Sequence, residues 1–232
     1  NDTIRGGNGD DVAYGGDGDD EIRMGRGNDT VYAGAGNDEV RGDSGNDTLW
    51  GEAGSDSLFG GDGDDVLNGG ADNDTIYGDN GSDMIYGEGG DDTLYGRNHD
   101  DFIDGGAGND FIDGGNGDLD RMFGGEGDDV IRDNDGNNGA HGGPGNDSIT
   151  VTLGNGWNGG ANRYDGKLSG GYGDDTVQLT LRTGTTMFIN ITGDERDDPA
   201  SPDEGANDSL NLRGQAVNPG SVIIKFETVS GF

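Results

Sequence analysis

Aliphatic residues recur along the first two-thirds of the chain at a spacing of nine: Ile4, Ala13, Ile22, Val31, Val40, Leu49, Leu58, Leu67, Ile76, Ile85, Leu94, Ile103 and Ile112. After a single ten-residue step the series resumes at Met122, Ile131, Ala140 and Ile149. The units read GGNGDDVAY (6–14), GGDGDDEIR (15–23), MGRGNDTVY (24–32) and so on to Thr150, with half a unit ahead of them. Each holds six turn-forming residues followed by three of strand character, the middle one apolar. Strand side chains alternate faces, so the middle residue points inward and its neighbours outward. Glycine at this density and a period of nine exclude a helix, which needs 3.6. A fixed period marks stacked supersecondary units. Short strands joined by same-handed turns stack in parallel, and two nonapeptides per coil give two facing sheets around one aliphatic ladder. The predicted fold is all-β: a right-handed parallel β-roll of about eight coils over residues 1–150.

Beyond Thr150 the period fails. Segments 176–182, 186–192 and 221–229 alternate like half-buried strands, and repeat-like fragments persist at GGYGDDTVQ (170–178) and GANDSLN (205–211), which carry Asp175 and Asp208. A solenoid needs its last coil covered, so residues 151–232 are expected to form a β-rich C-terminal cap. The chain opens inside a repeat, as an excised fragment would. Within the repeats, the fourth turn position is glycine in most units because it calls for positive φ; Asp72 is a mild departure there and His99 a larger one.

Composition changes the picture. Hydrophobic residues are 28%, glycines number 53 and the formal net charge is −35. Such a chain has too little apolar burial to offset chain entropy and self-repulsion, so something cationic is missing from the sequence itself. The acidic excess is mostly Asp, set among turns rich in carbonyls, which suits a hard divalent ion. Roughly thirteen divalent ions would bring the charge to about −9. With no cysteine there is no disulfide or thiolate site. No stretch reaches transmembrane length, and the acidity argues against nucleic acid as a partner.

The unit G-G-x-G-x-D-x-U-x resembles the repeat of the RTX (repeats-in-toxin) proteins, and the match covers about two-thirds of the chain. That resemblance implies multiple Ca²⁺ ions between turns of adjacent coils. Each ion takes a carboxylate from the Asp at position six of one repeat and another from its counterpart two repeats on, with carbonyls of positions one to four. The ligands it implies are Asp2, Asp11, Asp20, Asp29, Asp38, Asp47, Asp56, Asp65, Asp74, Asp83, Asp92, Asp101, Asp110, Asp129 and Asp147, with Asp175 in the later fragment. Asp120 joins them if the ten-residue unit bulges before it, with Asp118 as competitor. Asn138 stands where the carboxylate belongs, and Asp133, Asn134 and Asp135 displace the usual glycines, so that site is expected to be weak or empty. The resemblance also implies a folding switch: disordered at cytosolic calcium, exported by type I secretion machinery, and folded outside the cell. A fused effector or further repeat blocks would then complete the protein, and residues 226–232 resemble a linker into such a block.

Position nine alternates between sheets, so Tyr14, Tyr32 and Trp50 should stack on one face, and Arg5, Arg23, Arg41, Phe59, Tyr77 and Tyr95 on the other. These rows are read first as stabilising ladders, with Glu21 and Glu39 neutralising the arginines. The rival reading is a polysaccharide-binding, adhesin or surface-layer strip. Catalysis is not expected: His99 and His141 sit in repeats without a nucleophile or second histidine nearby. Asp198-Pro199 resembles the calcium-triggered cleavage dipeptide of some RTX-containing proteins, but Asp-Pro is also a common turn.

Overall fold

The computed structural model describes residues 1–117, 119–134, 138–153, 167–173, 175–181, 188–192, 209–214 and 223–226. Asp118, Asp135, Asp198, Pro199, Asp208 and the segment after Phe226 lie outside these residues. Among the described residues there are twenty-two strands and no helix. Successive strands alternate between two eleven-stranded sheets, so Thr3–Asn8, Glu21–Arg26 and Glu39–Ser44 neighbour one another in the first, and Val12–Asp17, Thr30–Ala35 and Thr48–Ala53 in the second. All pairings are parallel; up to the strand Ser148–Leu153 residues face those eighteen later, as in Ile4↔Ile22 and Val31↔Leu49, and beyond it the step is longer, as in Ala140↔Leu168. At the ten-residue unit the step becomes nineteen (Ile103↔Met122), so the extra residue is absorbed in the turn and every later side chain keeps its face. This is the parallel roll predicted from the repeat.

The strands are longer than expected. Most run six residues, from position seven of one repeat to position three of the next, leaving a short turn where six turn residues were expected. The paired glycines at positions one and two look like turn formers in isolation, but neighbouring coils hold them in the ladder, as Gly7↔Gly25 shows. Position two still adopts positive φ, and besides Asp72 and His99 at position four, that conformation is taken at position two by Asp43, Glu52, Asp79, Glu88 and Arg97.

Inside lies one column of aliphatic side chains per sheet. Every member from Ile22 to Ile131 is sealed from solvent, and Ile4, in the first coil, is only partly covered. Position one faces inward too, so Met24, Ala33 and Val151 join this core. After Thr150, the strands Lys167–Tyr172, Thr176–Leu181, Phe188–Thr192, Ser209–Gly214 and Ile223–Phe226 extend the same two sheets in parallel.

Candidate metal centre

The position-six aspartates form two columns, one along each turn edge of the roll. Asp11, Asp29, Asp47, Asp65, Asp83, Asp101 and Asp120 make up the first, each main-chain N–H donating to Oδ1 of the next. Asp2, Asp20, Asp38, Asp56, Asp74, Asp92, Asp110, Asp129, Asp147 and Asp175 make up the second by the same bond. These distances are 2.5–2.9 Å. The structure thus brings together every aspartate that the repeat singled out. Asp120 takes the column position after the ten-residue unit, and the neighbouring Leu119 is pushed to the surface at 55% exposure.

The aspartate carbonyls are used as well, accepting from the coil two repeats on, as in Thr30 N–H to Asp11. What is left over is the second carboxylate oxygen. Oδ2 of Asp11, Asp20, Asp29, Asp38, Asp47, Asp56, Asp65, Asp74, Asp83, Asp92, Asp101, Asp110, Asp129 and Asp147 is buried without a hydrogen-bond donor. Burying a charged oxygen unpaired is among the costliest arrangements a protein can adopt. The same point also gathers main-chain oxygens: where a Cβ on Gly60 would stand, Asp65 Oδ2 and the Gly78 carbonyl oxygen crowd in, and the arrangement recurs at Gly42, Gly51, Gly87, Gly96 and Gly105. Glycine at these positions leaves the oxygens room, although Met24 and Ala33 hold the same place in two units.

The electrostatics agree. Burial pushes the carboxyls of Asp47, Asp83 and Asp110 up to about 6, those of Asp56, Asp74, Asp92, Asp129 and Asp147 to about 7, and those of Asp65 and Asp101 to about 8. The N–H bond to Oδ1 pulls the other way, and neighbouring acidic groups, chiefly carboxylates above and below in the column, add to the rise. Columns of like charge without a counter-ion resist ionisation. Among the described residues no three acidic or histidine side chains converge on one point. A cation between coils would meet carboxylate Oδ2 and main-chain carbonyl oxygens, a set of hard oxygen donors that fits Ca²⁺.

The profile of the RTX calcium-binding nonapeptide repeat matches residues 1–156 in overlapping copies, at 1–31, 25–58, 32–67, 59–94, 86–118, 114–149 and 123–156. The chain belongs to this family. A comparison with curated proteins gave no match. RTX nonapeptide repeats bind Ca²⁺, and the buried aspartate columns of this RTX chain are consistent with several such sites.

Two features of the edges escaped sequence reasoning. Position five forms a second ladder running the opposite way: Oδ1 of Asp10, Asn28 and Asn46 accepts from the main-chain N–H of Asn28, Asn46 and Asp64 in turn. Its signal was the restriction of that position to Asp, Asn and Ser in nearly every unit. Arg23 pairs in two-pronged fashion with Asp43, not with Glu21, because the positive φ at Asp43 aims its carboxylate across one coil. Arg41 does meet Glu39, at 2.9 Å, and lies over the Phe59 ring.

Proposed function

We propose that the chain is a calcium-dependent folding and stabilising module of a larger secreted protein, binding about a dozen Ca²⁺ ions along its two aspartate edges. The observation that carries this reading is the row of buried carboxylate oxygens lacking any donor. The proposed ligands are the aspartates of the two columns, Asp2 to Asp175, with the carbonyls beside them. Bound calcium supplies the positive charge that the columns lack. The chain's own part is to hold the carboxylates in line through the N–H to Oδ1 bonds, keep a glycine beside most of the Oδ2 atoms, and exclude water by stacking.

A core one aliphatic residue thick per sheet is too thin to hold a domain of this charge, so binding and folding are coupled. Calcium modules outside cells commonly respond at about 10⁻⁴–10⁻³ M, so such a chain passes type I secretion machinery unfolded and folds on release. Fused effectors or further repeat blocks would be its covalent partners, and residues 151–232 its cap. No catalytic role is assigned: His99 lies against the Asn98 carbonyl at the end of the strand Thr93–Asn98, and His141 packs edge-on against Phe123.

The polysaccharide reading finds less support. Tyr14 with Tyr32, Phe59 with Tyr77, and Tyr77 with Tyr95 stack on each other at 4.9–5.2 Å and 3–10° between planes, so their faces are covered by one another. Within these rows mainly ring edges remain for a sugar, with the outer faces of Tyr14 and Trp50 at the row's ends the exception. Small-angle scattering tests the proposal: calcium-stripped protein should show a radius of gyration near the ~50 Å of an unfolded chain of this length, and millimolar calcium should contract it sharply. Equal, compact radii with and without calcium would refute it.

A further inference from the structure

One coil departs from the aspartate rule. Asn138 continues the first column, since its Oδ1 accepts from Asp120 N–H at 2.7 Å, and its side chain is fully buried. Its second terminal atom is a nitrogen, and that nitrogen is occupied. Nδ2 donates to Asp133 Oδ2 at 2.6 Å and to the Gly117 carbonyl oxygen at 3.3 Å. Asp133 holds position one of the same repeat, a place that is glycine in most units, and it too is buried. The carboxylate has moved from position six to position one, and an amide fills the vacated place.

We infer that the Asp133–Asn138 pair is a calcium-free terminator of the first column, in which an amide N–H₂ stands in for the cation. The inference rests on the calcium reading above. In regular coils a carboxylate oxygen and a main-chain carbonyl face each other with no donor between them; here a donor of two hydrogens is supplied by the chain. An aspartate at position 138 would face the Asp133 carboxylate at hydrogen-bond distance, and two carboxylates that close cannot both ionise without a cation. Asparagine satisfies the contact at no net charge beyond that of Asp133.

The location fits a terminator. The next strand on this sheet sets Leu168 against Ala140, and the residue two places before Leu168 in the sequence is Gly166, which has no carboxylate to offer. On the same edge, the strands Ser148–Leu153 and Lys167–Tyr172 are joined through residues 154–166, whereas the opposite edge keeps its short turns and its column through Asp147 and Asp175. The two edges therefore end their ion columns at different coils.

The test counts calcium ions per chain by calorimetry and equilibrium dialysis in three proteins: the parent, Asp133→Ala, and the double variant Asp133→Gly with Asn138→Asp. Alanine is accommodated at position one, as the buried Ala33 shows. Asp133→Ala should bind as many ions as the parent, and the double variant about one more, in keeping with one added two-carboxylate site. Loss of an ion in Asp133→Ala, or no gain in a folded double variant, would overturn the terminator. A parent that binds no calcium would instead overturn the calcium reading itself, and the two failures are distinct.

Discussion

Asp65 and Leu67 stand two residues apart, and both are sealed from solvent at 1% and 0% exposure. Leu67 lies between Leu49 and Ile85, which offer it the same apolar surface it offers them. Asp65 lies between Asp47 and Asp83, which offer it more negative charge, and its Oδ2 has no donor. The interior is satisfied within the chain; the edges leave buried carboxylate oxygens without a donor. On the proposed calcium reading, this difference explains how a regular repeat can hold both a good core and an excess of negative charge.

The largest way to probe that contrast is pH. The column carboxyls are raised to about 6 to 8 in the ion-free fold, above the ~4 of an unfolded aspartate. Their contribution to the ion-free roll is therefore fully present below about pH 4 and is lost as pH rises through about 6 to 8. Calcium-stripped protein should gain β-structure by circular dichroism between pH 8 and pH 5, while calcium affinity falls over the same range because protons compete for the oxygens. An ion-free chain indifferent to acid would break the account of the edges.

Leu67→Ala acts on the interior alone. It should lower the stability of the calcium-saturated protein to urea by about 2–5 kcal/mol and leave the number of bound ions unchanged. Asp65→Asn does the reverse. Asparagine still accepts the Asp47 N–H bond, so the saturated fold should persist, but about two ions should be lost and the calcium midpoint should rise about tenfold, or ~1.4 kcal/mol. If Asp65→Asn kept its full complement of ions, the columns would be turn-shaping elements only. The smallest effect belongs to the outer rows: Tyr77→Ala should cost about 1 kcal/mol in the same urea assay, with ion number untouched. Its ring stacks on Phe59 and Tyr95 and underlies Arg97 at 4.7 Å, but touches neither core nor edge.

The columns of Leu67 and Asp65 were legible in the sequence because a fixed period carries each position to the same place in every coil. The features that were not legible depend on the neighbouring coil instead of on the repeat. Gly60 and Gly61 read locally as turn residues, yet they lie in the strand Ser57–Asp62 because the next coil pairs with it there. The Arg23 to Asp43 pair spans twenty residues and relies on the left-handed backbone of Asp43. The exchange between Asp133 and Asn138 looked like a defect until its geometry joined the two side chains, since each substitution alone weakens the consensus.

The most direct test is a calcium titration of stripped protein that follows far-UV circular dichroism and bound-ion number together. The account predicts a cooperative transition from coil to β-structure as on the order of a dozen ions bind, in the submillimolar to millimolar range. A chain already folded without calcium, taking up only a few ions with no change in structure, would contradict it.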